Sequence, residues 1–243
     1  MIKVPATPEG IPAIRALIGQ GINVNVTLIF SVEVYKNVQQ AYLLGLEDLA
    51  QTTDDLSRVA SVASFFVSRV DTAVDDLLSA QIATGNGITQ ELLGKAAVSN
   101  AKIAYHEFQK AFGSSQFMNL EEKGAMVQRP LWASTGTKNP EYSDVMYVDS
   151  LIGKNTVNTM PDATLEAFLD HGNATTAVNT DLDQAEQAIE AIINAGISLT
   201  SITDKLLSDG VKAFADSFEL LLDNIEGKRA QLLKSQPGVA NTG

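Results

Sequence analysis

Lys3 is the side chain in this sequence with the clearest capacity for covalent chemistry. It lies between Ile2 and Val4 in a short apolar run that we predict to be a β-strand. A desolvated lysine loses its ammonium proton more readily, and the free amine can attack a ketone carbonyl to form an iminium. Position alone favours a solvated lysine near a chain terminus, because lysine is rarely fully buried. The surrounding sequence must therefore decide between a desolvated, reactive Lys3 and a solvated one.

Polar and apolar side chains alternate in a second predicted strand, Asn23 to Phe30. Asn25 and Thr27 fall on one face of this strand, and Val24 and Val26 fall on the other. An open sheet covered on both sides buries apolar groups on both faces. A barrel that supports chemistry turns polar groups inward near the carboxyl ends of its strands. The alternation therefore favours a barrel.

Strands alternate with helical stretches along the first part of the chain, which predicts parallel βαβ units in an α/β fold. The five predicted strands are Ile2 to Ala6, Asn23 to Phe30, Ser61 to Ser68, Arg129 to Thr135 and Thr156 to Met160. Thr7 and Ser31 are predicted helix caps, and Pro161 opens a further helix. Because five strands cannot close an eight-stranded barrel, we expect a partial (β/α)8 TIM barrel of about five C-terminal βα units with additional C-terminal helices.

The pattern is entirely helical from about Ala177 onward. One apolar stripe comprises Leu182, Ala185, Ile189, Ile192 and Ile193, and a second comprises Val211, Phe214, Phe218, Leu221, Leu222 and Ile225. We predict that Trp132 and the phenylalanines of the last helix belong to the core. Residues 1–234 are predicted to form the barrel-like domain, and residues 235–243 a flexible tail or linker.

Composition argues against several classes of function. The chain has no cysteine, which excludes disulfides and thiolate metal sites and fits a cytoplasmic location. A net charge of −12 opposes binding to nucleic acid, and no apolar run reaches the length of a membrane span. His106 and His171 have no partners at ligand spacing, and no dinucleotide or Walker pattern is present. We therefore predict no metal, no cofactor, no nucleic-acid partner and no membrane partner.

Four segments, taken in order, carry a family likeness. They are IKVPATPEGIPAIRALIGQGINVNVTLIFS at 2–31, ASFFVSRVD at 63–71, RPLWASTGTKNPEYSDVMYVDSLIGKNTVNTMP at 129–161 and DGVKAFADSFELLL at 209–222. Together they resemble the transaldolases, a class I Schiff-base aldolase family, and the likeness covers nearly the whole chain. The third segment is similar to a subfamily with a Ser-Thr-Gly-Thr-Lys strand-end loop, which is sometimes fused to a glucose-6-phosphate isomerase.

The resemblance implies a catalytic role for Lys3, which would form an iminium with the ketose carbonyl. Thr27 would hold the water that relays protons. Asn25 and Ser64 would bind the hydroxyls of the three-carbon dihydroxyacetone unit, which amide and hydroxyl groups are suited to recognise. The implied reaction converts sedoheptulose 7-phosphate and glyceraldehyde 3-phosphate to erythrose 4-phosphate and fructose 6-phosphate, in the pentose phosphate pathway.

The resemblance also implies a phosphate site formed by Arg69 and Ser134, since arginine can grip phosphate through two parallel bonds. Many transaldolases have a second arginine two residues after the serine, where this chain has Gly136. We predict that Lys138, or the backbone amides of the loop from Ser134 to Thr137, takes its place.

Several expectations concern parts of the family pattern that are not found here. The family's proton-transferring aspartate and glutamate lie on strands before the lysine strand, so we expect an N-terminally truncated chain whose activity is open. Glu9, Asp71 and Asp144 are predicted to be capping or surface residues. The alternatives are an inactive half-barrel that acts as an interaction module, a homo-oligomer, and the transaldolase part of a fusion with glucose-6-phosphate isomerase. Aldolase and transaldolase activity both start from the same iminium, so the residues do not separate them.

Overall fold

The computed structural model describes residues 1–85 and 90–235, which form an α/β fold. The strands are β1 (Ile2–Pro5), β2 (Val24–Ile29), β3 (Ser61–Phe66), β4 (Arg129–Ala133) and β5 (Val157–Thr159). The helices are α1 (Gly10–Gly19), α2 (Val32–Leu49), α3 (Ser68–Ala83), α4 (Ala96–Phe112), α5 (Ser115–Glu121), α6 (Met146–Leu151), α7 (Asp162–His171), α8 (Leu182–Asn194) and α9 (Leu199–Ser235), with a 3₁₀ helix at Gln90–Leu92. The chain divides into two units, Met1–Leu207 and Ser208–Gly243.

The sheet is parallel, with its strands in the order β1-β2-β3-β4-β5. Each pair of neighbouring strands is consecutive in the sequence, as repeated βαβ units require. All five predicted strands are confirmed, and each differs from the observed one by a few residues at its ends. The carboxyl ends of the strands therefore lie along one edge, where the strand-to-helix connections begin.

Hydrogen bonds confirm the predicted cap of α2, whereas the predicted cap at Thr7 lies one turn before α1, whose N-cap position is Glu9. The Ser31 hydroxyl accepts a bond from the backbone N–H of Val34 at 3.2 Å and caps α2. The Thr7 hydroxyl accepts from Gly10 N–H at 3.0 Å, and Ile11 N–H donates to the carbonyl of Thr7, so the bonding of α1 begins one turn before Gly10. These caps set where α1 and α2 leave the sheet.

One face of the sheet is buried beneath helices. Val24 and Val26 of β2 are fully buried in the main core, together with Phe65 of β3 and Trp132 of β4. The prediction for Trp132 is thus confirmed, and its indole N–H donates to the carbonyl of Leu151 at 2.9 Å. Burial of apolar side chains on this face leaves the opposite face for polar groups.

Helices α1 and α2 pack closely at Gly45. A Cβ atom added there would lie 2.7 Å from Cβ of Ile18 and 2.8 Å from the carbonyl oxygen of Arg15. No side chain fits this contact without a shift of backbone, so glycine is required by the packing of the helix pair.

The described part of the second unit, residues 208–235, is helical throughout. The core prediction for Phe214 and Phe218 is wrong here, since they are 47% and 60% exposed. The physical reason is that the described part of this unit is one helix, which offers no second element against which its apolar side chains could be buried. The predicted tail lies outside the described residues except for Ser235, the last residue of α9. Among residues 1–85 and 90–235, no helix is long and apolar enough to cross a membrane.

Candidate active site

Lys3, Asn25 and Ser64 occupy neighbouring strands on the same face of the sheet. Lys3 is in register with Asn25 across the β1–β2 pair. The Ser64 hydroxyl donates to Oδ1 of Asn25 at 2.7 Å across the β2–β3 pair. In-register residues of parallel strands point to the same side, so the amine, the amide and the hydroxyl line one surface. This arrangement confirms the predicted alternation of β2.

Thr27 follows Asn25 on this face and is in register with Pro5. Its side chain is buried, and its Oγ1 has no hydrogen-bond partner among the described residues. Leaving a buried hydroxyl unpaired costs about 1–3 kcal/mol. An unpaired buried group of this kind calls for an explanation such as a bound water or a role in catalysis.

The regular pairing of β2 ends directly after Thr27. The register with β3 shifts between Val26 and Ile29, and Leu28 has a φ of 59°. A positive φ is costly for a bulky residue such as leucine. Bulges of this kind are often found beside active sites. Nothing in the alternation of the sequence signals this bulge.

The polar surface covers only part of this face. Farther along the sheet, Val62, Leu131 and Ala133 form a small apolar cluster, with Phe66 and Val157 packed against it. Polar side chains therefore lie on this face at Lys3, Asn25, Thr27 and Ser64, and apolar side chains occupy most of the part that β3, β4 and β5 contribute.

Lys3 itself is exposed, so the predicted desolvated position is not found in this chain. The physical reason is its place in the sheet, since β1 is an edge strand that pairs only with β2 among the described strands. The side chains beside it on the sheet are nevertheless those that the sequence predicted.

The candidate phosphate residues lie at the carboxyl ends of β3 and β4. Arg69 is in the first turn of α3 with its guanidinium carbon 5.3 Å from the centroid of the Phe66 ring, a cation–π contact. Ser134 follows β4 with a φ of 58°. Ser68 N–H donates to the carbonyl of Ser134 at 3.0 Å, and the two hydroxyls are 3.1 Å apart. The structure thus brings the N-terminus of α3, which carries Arg69, to Ser134.

Lys138 lies elsewhere, in a recess of about 320 Å³. Three aspartates, two tyrosines, three small polar residues and a proline line this recess with it: Asp71, Thr72, Asp75, Asp76, Ser79, Asn139, Pro140, Tyr142 and Tyr147. Acidic lining opposes an anion, so the geometry does not favour Lys138 as a phosphate ligand. At Gly136, an added Cβ would lie 3.1 Å from Cγ of Pro161, which places this backbone against the start of α7.

Asp71 is the principal residue whose position sequence reasoning missed. Its Oδ1 accepts from Ala97 N–H at 2.7 Å, in the first turn of α4, so the predicted capping role is confirmed. The surface alternative is wrong, because Asp71 is 1% exposed and accepts a second bond from the Tyr147 hydroxyl at 2.8 Å. Burial raises its pKa to about 6. Glu9 is exposed, and Asp144 is also exposed and contacts His171 at 2.9 Å.

A comparison with known families decides the affiliation of this fold. The model of the Transaldolase/Fructose-6-phosphate aldolase family matches residues 1–225. The chain belongs to this family. It is similar to Transaldolase 2 of Nostoc sp., at 47% identity over 236 residues that cover 94% of the chain and 62% of the relative. It is also similar to the transaldolases of Mycolicibacterium smegmatis (48% identity; 94% and 61% covered) and Thermobifida fusca (49%; 93% and 61%).

The chain spans about 62% of the length of the curated relatives that it matches. The lysine, amide and hydroxyl groups on one sheet face, with an arginine at its carboxyl edge, are chemically suited to bind hydroxyl and phosphate groups.

Proposed function

We propose that the protein is a transaldolase that transfers a dihydroxyacetone unit from a ketose phosphate to an aldose phosphate through a Schiff base on Lys3. The observation that carries this proposal is the line from Lys3 through Asn25 to Ser64, with Asn25 and Ser64 joined at 2.7 Å. The amide of Asn25 and the hydroxyl of Ser64 can hold a hydroxylated three-carbon unit, and Asn25 is in register with Lys3 on the neighbouring strand.

The reaction proceeds through an iminium. The Lys3 amine adds to C2 of the ketose, water leaves, and the bond between C3 and C4 breaks. Its electrons move to the iminium nitrogen to form an enamine, while the C4 hydroxyl loses its proton and the aldose phosphate leaves. The enamine carbon then bonds to the acceptor aldehyde, whose oxygen takes up a proton, and water hydrolyses the new iminium.

Thr27 is proposed to hold the water that relays these protons. Support comes from its buried Oγ1, which lacks a hydrogen-bond partner among the described residues and therefore has its full bonding capacity left. Positioned proton transfer contributes about 10²–10⁴-fold to enzyme rates, so this role is expected to affect turnover more than binding.

Arg69 and Ser134 are proposed to bind the substrate phosphate at the carboxyl edge of the sheet. The Ser68–Ser134 contacts support this assignment, because they join the first turn of α3 to the end of β4. Residues 134–138 read Ser-Thr-Gly-Thr-Lys, which is consistent with the subfamily that is sometimes fused to glucose-6-phosphate isomerase; that affiliation stays a prediction.

We further propose that the sheet is one part of a (β/α)8 barrel completed by strands outside the described sheet. The outer edge of β1, which has no second pairing partner among the described strands, and the polar face beside it support this view. A closed barrel would remove Lys3 from water, as iminium formation requires. An interaction module would use the same edge to pair with a partner chain, and it would form no covalent adduct.

The direct test is reduction with borohydride in the presence of fructose 6-phosphate, followed by peptide mapping of the full-length gene product. We expect a three-carbon adduct on Lys3 that is lost in Lys3→Ala and kept in the matched variant Lys138→Ala. Efficient turnover without an adduct on Lys3 would refute the mechanism, and absence of both would favour the interaction module.

A further inference from the structure

Helix α3 is fastened to the segment that follows β4 along one face. Its residues 68, 71 and 75 are spaced by three and four positions, so they project from the same side of the helix. The contacts are Ser68 with Ser134, Asp71 with Tyr147 and Asp75 with Tyr142. Arg69 therefore belongs to a helix that is tied at successive turns to the segment beginning with Ser134.

The Asp75–Tyr142 contact is built into close packing. The Tyr142 hydroxyl donates to Oδ2 of Asp75 at 2.7 Å, and Gly94 N–H donates to Oδ1 at 3.0 Å. Gly94 has a φ of 67°, and a Cβ added there would lie 2.9 Å from Cζ of Tyr142. Burial, together with the charge of Asp75, raises the pKa of Tyr142, so the hydroxyl stays protonated as a donor.

The Asp71–Tyr147 contact lies deeper. Both side chains are buried, and the hydroxyl donates to the carboxylate at 2.8 Å. Tyr147 is the second residue of α6, the helix that follows residues 134–145. Bonds to a carboxylate are stronger than neutral ones, so α6 is held firmly against α3.

Residues 134–145, between β4 and α6, include neither a helix nor a strand. Hydrogen bonds along α3 hold this segment at Ser134 and Tyr142, and Tyr147 holds the helix that follows. A binding site depends on supporting contacts that hold its groups within a fraction of an ångström. The position of Ser134 beside the first turn of α3, the turn that contains Arg69, is thus supported by side chains that need not touch the substrate.

We propose that Tyr142 and Tyr147 are positioning residues for the phosphate site, acting through Asp75 and Asp71 to hold Ser134 against the helix that carries Arg69. This inference rests on the proposed function, in which Arg69 and Ser134 bind the sugar phosphate. It adds residues that determine affinity for phosphorylated over unphosphorylated ketoses.

The experiment compares Tyr142→Phe and Tyr147→Phe with the control Tyr105→Phe in the full-length gene product. Tyr105 is a buried tyrosine whose hydroxyl donates to the carbonyl of Lys154 at 3.0 Å, away from these contacts. Losing one hydrogen bond corresponds to an increase of about three- to tenfold in KM for fructose 6-phosphate. We expect the inhibition constant of inorganic phosphate to rise by the same factor, while kcat/KM for fructose stays constant. The control should change neither KM for fructose 6-phosphate nor the inhibition constant of phosphate.

A loss of activity that is equal for fructose and fructose 6-phosphate would overturn the proposal, because a general structural defect affects both substrates. Unchanged phosphate inhibition in Tyr142→Phe would overturn it too. If Tyr147→Phe fails to fold, the result for Tyr142→Phe decides the test. This variant is expected to fold, since Asp75, the partner of Tyr142, is only half-buried. Calorimetric titration with inorganic phosphate keeps the test independent of catalysis. Absence of the borohydride adduct on Lys3 would refute the Schiff-base function. Unchanged phosphate binding in the tyrosine variants would refute the positioning role alone.

Discussion

Replacing the buried Asp71 by asparagine is expected to change how stability depends on pH. Burial raises the pKa of Asp71 from 3.8 to about 6 in the folded protein. The folded state therefore holds this proton more tightly than the unfolded chain does. Stability contributed by the protonated form is complete below about pH 4 and is lost as the pH rises through about 6.

The magnitude follows from the same pKa values. The difference between 3.8 and about 6 corresponds to about 3 kcal/mol. An asparagine cannot titrate, but its amide oxygen can still accept the bond from Ala97 N–H, and the Tyr147 hydroxyl can accept one from the amide nitrogen. The unfolding free energy of Asp71→Asn minus that of the unaltered protein should therefore rise by about 2 kcal/mol from pH 4 to pH 7, which is most of the full difference of about 3 kcal/mol.

Urea unfolding at a series of pH values measures this difference. The single tryptophan, Trp132, is buried in the core and reports unfolding by fluorescence. Asp76→Asn is the matched control, since Asp76 is an exposed carboxylate on the same helix. Titrations shared by both proteins cancel in the subtraction. A difference that stays flat, or falls with rising pH, would refute the reasoning.

Three further predictions concern the site and the core. Thr27→Val keeps the shape of the side chain but removes its hydroxyl, so it should lower kcat at least about tenfold with little change in the unfolding free energy; unchanged kcat would remove Thr27 from the proton relay. Arg69→Ala should raise KM for fructose 6-phosphate by about 10- to 100-fold, with partial recovery in Arg69→Lys and no effect on fructose, as steady-state kinetics can establish. Gly45→Ala should lower the unfolding free energy by about 1–3 kcal/mol through the clash with Ile18, as thermal unfolding can measure. Gly227→Ala is the control and should not be destabilising, since an added Cβ there meets nothing within 4 Å.

The local sequence determined the strands, the caps and the sheet face of the candidate site. The alternation in β2 separates Asn25 and Thr27 from Val24 and Val26, and the structure keeps this separation. Ser31 caps its helix as its residue type predicts. Such features depend on neighbours within a few residues of the same chain segment, so periodicity and residue type suffice to predict them.

The tertiary structure alone decided which charged and aromatic side chains are buried. Asp71 becomes buried because α4 and α6, distant in sequence, supply its two donors. Lys3 is exposed because β1 lies at the edge of the described sheet, and Phe214 is exposed because the described part of its unit is a single helix. Burial is set by partners that meet only after folding, and a one-dimensional pattern does not specify which elements meet.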